Sequence, residues 1–205
     1  VFLYANFYGG AGVGVGDFDN DGLDDLFFAG NLVDDKIYKN LGNLKFQDKT
    51  PNSGIINDNS WSTGVTVADV NNDGLLDIYV SCELYDDQPK LRTNKLYINK
   101  GNFEFDELAA KWNVDVDRRT RHAVFFDYNK DGLLDLYLLN HPPNTGNFSP
   151  FLGTDMKLPE YNLQLFENKE GFFEDVTAKA GLDRSGFPNA AVIGDFNKDG
   201  WPDIY

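Results

Sequence analysis

The stretch Gly64-Val-Thr-Val-Ala-Asp-Val-Asn-Asn-Asp-Gly-Leu-Leu-Asp-Ile-Tyr79 decides the fold of this chain of 205 residues. β-Branched residues precede its central nonapeptide, residues 69–77, and an alternating run of apolar residues follows it. This pattern predicts two strands joined by a turn. The nonapeptide recurs at 17–25, 127–135 and 195–203, so that successive copies start 52, 58 and 68 residues apart. A motif that recurs over such long intervals predicts a repeat protein.

A second element follows the first three nonapeptides. Each copy has an aromatic residue, an asparagine, a glycine and then a phenylalanine: Tyr38, Asn40, Gly42 and Phe46; Tyr97, Asn99, Gly101 and Phe105; Phe166, Asn168, Gly171 and Phe173. This element predicts a second hairpin, and therefore units of four antiparallel strands. Short helical turns are expected after the fourth strand, at Glu107 to Trp112 and at Asp175 to Ala180.

Four-stranded units in series predict an all-β chain with the architecture of a β-propeller. The expected blades span about 11–60, 61–117 and 118–187, and half of a fourth spans 188–205. Propellers close with roughly four to eight blades, and open sheet edges leave backbone groups unpaired. We therefore expect about three and a half blades of about seven, with the remaining blades supplied by a longer chain.

The charge balance is strongly acidic, with 33 Asp and Glu against 18 Lys and Arg and a net charge of −15. Such a chain is not expected to bind nucleic acid, and cations are its natural partners. No apolar run approaches the roughly 18 residues that a membrane-spanning helix needs. The single cysteine, Cys82, cannot form an internal disulfide, and no cluster of Cys and His is present to hold zinc.

The nonapeptide has the composition of a calcium loop. Positions 1, 3, 5 and 9 carry Asp or Asn, and Gly at position 6 permits a sharp turn that directs the carbonyl of position 7 inward. Oxygen ligands of this kind suit Ca²⁺. The predicted ligands, for up to four ions, are Asp17, Asp19, Asp21, Leu23 and Asp25; Asp69, Asn71, Asp73, Leu75 and Asp77; Asp127, Asn129, Asp131, Leu133 and Asp135; and Asp195, Asn197, Asp199, Trp201 and Asp203.

The nonapeptide has two other interpretations. An EF-hand needs Glu at position 12, where this chain has Phe28, Val80 and Leu138, so EF-hands are excluded. Asp-Gly turns can also simply start hairpins, although four copies with the same oxygen positions disfavour that interpretation. With four Ca²⁺ bound, the formal charge would change from −15 to −7.

Residues 64–79 followed by Leu96-Tyr-Ile-Asn-Lys-Gly101 resemble the FG-GAP/VCBS repeat family, which includes the calcium-loop propellers of integrin α subunits. The resemblance is strongest to VCBS repeats of exported proteins of the Bacteroidetes type, which often carry an ASPIC/UnbV-type domain. It implies a propeller of about seven blades with calcium in each loop. It also implies an extracellular or cell-surface location, associated with the outer membrane in a bacterium. It implies no particular ligand.

Catalysis has little support in the sequence. The chain has two histidines, His122 and His141, and no Gly-x-Ser-x-Gly motif. We therefore expect a binding or adhesion module for a protein or glycan and not an enzyme. A carbohydrate-active propeller that recognises an acidic glycan, either a polysaccharide lyase or a lectin, is the alternative.

The expected ligand face follows from strand parity. In a four-stranded blade, the loop between strands two and three and the crossing to the next blade lie at the end opposite the calcium loops. Loops there lengthen from blade to blade, and binding sites are commonly built from such loops. The candidate ligand-binding residues at this end are Trp61, Arg118, Arg119, Arg121 and His141.

Two of these features have a second interpretation. The arginines either pair with the nearby Asp115 and Asp117 or bind an anionic group such as a uronate. Trp61, like Trp112, either stacks on a sugar or fills the gap between two blades.

Overall fold

The computed structural model describes residues 10–31, 33–83, 88–142, 161–186 and 188–205. Its strands form three four-stranded sheets and one two-stranded sheet. Sheet 1 contains β1 (Val13–Gly16), β2 (Asp25–Phe28), β3 (Lys36–Asn40) and β4 (Phe46–Asp48). Sheet 2 contains β5 (Trp61–Ala68), β6 (Asp77–Glu83), β7 (Lys95–Asn99) and β8 (Phe105–Glu107). Sheet 3 contains β9 (Arg119–Phe126), β10 (Asp135–His141), β11 (Gln164–Asn168) and β12 (Phe173–Asp175). Sheet 4 contains β13 (Ile193–Gly194) and β14 (Asp203–Ile204).

Every sheet is an antiparallel meander in which strands adjacent in sequence are paired. Each nonapeptide therefore joins a first strand to a second, and each Tyr/Phe-x-Asn element leads from a third strand to a fourth. This confirms the prediction of four antiparallel strands per unit for sheets 1 to 3. We call the nonapeptides loop 1 (17–25), loop 2 (69–77), loop 3 (127–135) and loop 4 (195–203).

Helical structure is limited to short turns within the described residues. A 3₁₀ turn spans Pro89–Arg92. The expected helical turns are single turns, in which Trp112 N donates to Leu108 O (2.9 Å) and Ala180 N donates to Val176 O (2.9 Å). In the part of the chain that is described, no helix has the length and apolar character needed to span a membrane.

The two ends of each sheet differ. At the loop end, loop 1 lies beside the turn between β3 and β4, since Asn40 N donates to Asp25 Oδ1 (2.7 Å). The crossover end carries the connections from second to third strands and from one sheet to the next. The long insertion expected between β10 and β11 falls mostly on residues 143–160, which lie outside the described part of the chain.

The apolar core lies between neighbouring sheets. Phe18 and Phe27 of sheet 1 pack against residues of sheet 2 such as Val80 and Tyr97. Trp112 fills the space between sheets 2 and 3, with its ring 6.0 Å from that of Phe173, so for this residue the gap-filling interpretation is confirmed. Cys82 is a fully buried member of β6.

The first strands of the sheets lie close together. A Cβ atom on Gly12 would come within 2.7 Å of Val65 N, and one on Gly14 would come within 2.6 Å of Val65 Cγ1. Glycine is therefore required where β1 approaches β5. A Cβ atom on Gly64 in β5 would likewise come within 3.1 Å of Arg121 O in β9. The first strands of sheets 1, 2 and 3 therefore meet, and we call the line between them the axis.

Candidate functional site

Loop 1 gathers three carboxylates. Oxygen atoms of Asp17, Asp19 and Asp21 lie within 4.8 Å of one another. The Asp17 carboxylate accepts Asp21 N (3.1 Å) and Gly22 N (2.7 Å), which holds the turn in shape. Asp19 Oδ1 is buried and has no hydrogen-bond partner. An unpartnered oxygen within a set of oxygen donors fits a hard cation such as Ca²⁺, so the residues of loop 1 suit the predicted ion.

Loops 2, 3 and 4 repeat this geometry with an amide at position 3. The position-1 carboxylates of Asp69, Asp127 and Asp195 accept the backbone N–H groups of positions 5 and 6, as Asp17 does. The position-3 amide nitrogen donates to the position-5 carboxylate over 2.8 to 3.0 Å; the pairs are Asn71 with Asp73, Asn129 with Asp131, and Asn197 with Asp199.

The position-7 residues contribute backbone hydrogen bonds. Leu23, Leu75, Leu133 and Trp201 each donate their N–H to the position-5 carboxylate. Coordination by their carbonyl groups stays a prediction.

The position-9 aspartates have a second set of partners. Asp77 Oδ2 accepts Val70 N (2.9 Å) and its Oδ1 accepts Asn99 N (2.8 Å), which ties loop 2 to β7. Asp25 and Asp135 make the equivalent pairs of bonds, and Asp203 accepts Phe196 N. A carboxylate oxygen has lone pairs left after one such bond. Metal ligation by position 9 therefore stays a prediction. The hydrogen bonds of these aspartates to backbone N–H groups are a structural role that the sequence had not indicated.

Burial makes the position-9 carboxylates of loops 2 and 3 costly to ionise. It raises the pKa of Asp77 to about 7 and that of Asp135 to about 6, and the other carboxylates of each loop act in the same direction. A cation bound among these oxygens would offset both the burial and the repulsion. The electrostatics of the loops thus favour a bound cation.

Successive loops are linked to one another. Position 4 of one loop reaches the Gly at position 6 of the next: Asn20 Nδ2 donates to Gly74 O (3.1 Å), and Asn72 Nδ2 donates to Gly132 O (3.4 Å). Lys130 extends the series, since its ammonium lies 4.2 Å from the centre of the Trp201 ring in loop 4. The loops therefore form a connected row along one end of the sheets.

Residues 8–80 match the FG-GAP-like repeat model. The match runs from before β1 to Val80 in β6, and the described residues after Val80 continue the same strand order and the same loop pattern. A search of curated proteins gave no match.

At the crossover end of the sheets, three of the predicted ligand-binding residues are buried. Trp61 is 3% exposed, as the first residue of β5 and not part of a connection. Arg119 and His141 are each 7% exposed and are paired with each other across β9 and β10. Because stacking on a sugar needs an exposed ring face, the structure does not present Trp61 for that role.

The two remaining candidate arginines, Arg118 and Arg121, have different partners. Arg118 Nη1 donates to Asn162 O (3.3 Å). Arg121 Nη1 lies 3.5 Å from Glu83 Oε2, so its ion pair is with the neighbouring sheet and not with Asp115 or Asp117. The interpretation that favoured those two aspartates was wrong for Arg121, because β9 lies against β6 and brings Arg121 beside its last residue.

The approach of the first strands also forms a cleft near the axis, which the sequence did not predict. Its volume is about 240 Å³, and its lining includes Ala11, Thr63, Arg121 and Asn189. Each of these four residues lies six positions before the first Asp of its loop, so the four repeats contribute equivalent positions. We call this cleft the axial cleft.

Two β-bulges shape the axial cleft. Ser62 pairs with Cys82 and Gly64 with Ser81, which leaves Thr63 outside the register of β5. Thr120 and His122 pair with Asn140 and Leu139, which leaves Arg121 outside the register of β9. Bulges redirect side chains in this way and are frequent at functional sites. His122 also lines the cleft, and burial lowers its pKa, so the neutral imidazole is favoured there.

Proposed function

We propose that this chain is part of a calcium-stabilised β-propeller of an exported protein and serves as a binding module for a protein or glycan. The observation that carries the proposal is the repetition of one loop geometry at one end of successive four-stranded sheets. The FG-GAP-like match over residues 8–80 supports it, as does the packing of the first strands around an axis. In this proposal each four-stranded sheet is one blade, and the VCBS type of exported bacterial protein is the expected relative.

Calcium has a structural role in this proposal. Thirteen Asp residues lie at positions 1, 3, 5 and 9 of the four loops. Extracellular calcium modules bind with Kd on the order of 10⁻⁴ to 10⁻³ M. At about ten times Kd, each filled site stabilises the folded chain by roughly 1.4 kcal/mol. For a chain of this size that corresponds to an increase in Tm of about 3 to 6 °C per site.

Thermal unfolding of the full chain in millimolar Ca²⁺, in Mg²⁺ and in EDTA tests this role. We expect the highest Tm in Ca²⁺ and little effect of Mg²⁺, since Mg²⁺ loses its water ligands reluctantly and needs octahedral geometry. Equal Tm values in Ca²⁺ and EDTA would show that the loops are only hairpin turns.

The proposed ligand site is the crossover end, with the axial cleft as its best-defined part. Arg121 supplies a guanidinium that is one-fifth exposed, and His122 supplies a neutral imidazole beside it. A guanidinium recognises carboxylates with two parallel hydrogen bonds, which fits an acidic glycan or an acidic protein segment. The earlier candidates Trp61, Arg119 and His141 act in this proposal as buried supports of that end.

Binding of polygalacturonate to the full chain distinguishes the ligand classes. Arg121→Lys keeps a positive charge beside Glu83 but loses the planar fork, so it should weaken binding of a uronate chain while Tm changes little. If polygalacturonate does not bind, a protein ligand remains as the proposal. Release of unsaturated products, seen as an increase in ultraviolet absorbance, would instead support the alternative of a polysaccharide lyase, in which His122 is the candidate base.

A further inference from the structure

The third strand of each unit has one residue whose character changes from repeat to repeat. It stands between the aromatic residue and the asparagine of the Tyr/Phe-x-Asn element, and it is Lys39 in β3, Ile98 in β7 and Glu167 in β11. Because third strands end beside the loops, this position can add a positive, a neutral or a negative side chain to the loop of its own repeat.

In loop 1 this residue reaches the candidate metal site. Lys39 Nζ lies 2.8 Å from Asp21 Oδ2 and also contacts Asp19 Oδ2. The Lys39 side chain is only 21% exposed. A fixed positive charge thus lies between two of the three carboxylates that would hold the ion.

Loop 1 also differs from the other loops at position 3. Asp19 stands where loops 2, 3 and 4 have Asn71, Asn129 and Asn197. Those amides donate a hydrogen bond to the position-5 carboxylate, whereas Asp19 has no proton to donate when it is ionised. Lys39 donates to both carboxylates instead. Among the three repeats with a described third strand, the one that has Asp at position 3 is also the one that has Lys on that strand.

We infer that the Lys39 ammonium is the resident cation of loop 1, which keeps its shape without calcium, whereas loops 2 and 3 depend on calcium to do so. The inference deepens the proposed function and rests on it for loops 2 and 3. Calcium can enter loop 1 only by displacing or approaching the ammonium, and like charges repel. Lys39 therefore makes loop 1 the weakest of the three calcium sites.

Hydrogen exchange resolved by peptide mass spectrometry tests this in the full chain, in EDTA and at about ten times the Kd for Ca²⁺. The amides of positions 5, 6 and 7 in each loop donate to loop carboxylates, so their protection reports the shape of that loop. Binding at this concentration slows exchange about tenfold where the loop depends on calcium. We expect that slowing in loop 2 and less than about twofold in loop 1.

Two variants separate the ammonium from the rest of the site. Lys39→Ile gives loop 1 the third-strand residue of loop 2, leaves Asp19 and Asp21 facing each other, and should make exchange in loop 1 faster in EDTA and responsive to calcium. Asp19→Asn combined with Lys39→Ile gives loop 1 the position-3 residue and the third-strand residue of repeat 2, and should bring its exchange in EDTA close to that of loop 2. Lys36→Met removes a charge from the same strand, where Lys36 lies 3.8 Å from Asp48, and should leave loop 1 unchanged.

The outcomes are distinct. The inference is overturned if calcium slows exchange in loop 1 of the unmodified chain as much as it does in loop 2. It is also overturned if Lys39→Ile leaves the exchange of loop 1 in EDTA unchanged. If calcium affects no loop in any variant, the proposed calcium function fails. Faster exchange of loop 1 in Lys39→Ile without calcium would then still support the ammonium as its resident cation.

Discussion

Replacement of Asn99 by alanine should be among the most destabilising polar substitutions in the chain. Asn99 is 1% exposed. Its Nδ2 donates to Phe18 O (2.9 Å) and Leu76 O (3.0 Å), and its Oδ1 accepts Gly101 N (2.8 Å). The bond to Phe18 joins two sheets, because Phe18 belongs to loop 1 and Asn99 to β7. One side chain therefore holds the turn after β7, loop 2 and the neighbouring repeat together.

The magnitude follows from these three bonds. Each contributes about 1 kcal/mol net, and a buried backbone group left without a partner costs about 1 to 3 kcal/mol. Loss of all three should therefore lower the free energy of unfolding by about 3 to 4 kcal/mol. Asn40 is the matched control, because it holds the equivalent position in sheet 1 and is half-buried. Its Nδ2 donates to the exposed Asp24 O (2.8 Å), so water can replace that bond, and Asn40→Ala should cost about 1 kcal/mol.

Urea unfolding at constant Ca²⁺, followed by circular dichroism, measures both variants. The slope of the unfolding free energy against urea concentration must be the same for the variants and the unmodified chain. A changed slope would indicate a changed unfolded state or loss of two-state behaviour. We expect Asn99→Ala to cost at least about 2 kcal/mol more than Asn40→Ala. Equal costs would refute the reasoning, since the two variants differ chiefly in burial and in the bond to the neighbouring sheet.

Two further predictions concern the core and the pH dependence. Trp112→Ala should cost about 3 to 5 kcal/mol, because it opens a cavity beside Phe173 between sheets 2 and 3, whereas the exposed Lys111→Ala should change stability by less than about 0.5 kcal/mol in the same urea assay. Burial raises the pKa of Asp35, whose carboxylate accepts Gly30 N and the Ser62 hydroxyl. A raised folded pKa stabilises the chain below the unfolded pKa, and that contribution is lost as pH rises through the folded pKa. The Tm of Asp35→Asn relative to that of the unmodified chain should therefore increase as pH rises from 4 to 7. A difference in Tm that does not change with pH would contradict the raised pKa of Asp35.

The repeat architecture could be predicted because its signals are local. Each nonapeptide and each Tyr/Phe-x-Asn element sets a turn within a few residues, and the backbone at Asn20 and Gly22 has the positive φ (57° and 87°) that such turns require. Those turns fix the strand order, and they place the nonapeptide loops at the same end of each sheet as the turns after the third strands. Together with the apolar pattern they also place Trp112 in the gap between two sheets.

The details of the site depend on contacts between distant residues. The pairing of Arg121 with Glu83 depends on how sheets 2 and 3 pack, and the bulge at Arg121 leaves no signal in the sequence. The difference between Lys39, Ile98 and Glu167 is visible in the aligned repeats, but the contacts of Lys39 with Asp19 and Asp21 depend on the fold. The burial of Trp61 likewise follows from its place as the first residue of β5.

The same contacts explain why the two ends of the sheets can have different roles. At the loop end, Asp77 and Asn99 tie loop 2 to its own third strand and to loop 1 of the preceding repeat, so an insertion there would break bonds within two repeats. At the crossover end, the connections between second and third strands span 29–35, 84–94 and 142–163 and lengthen along the chain. Loops that lengthen without disturbing the strands beside them are the usual place for recognition. The charge compensation and the hydrogen bonds between repeats are therefore concentrated at the loop end. The loops of the crossover end can vary without breaking them, which supports placing the ligand at the crossover end.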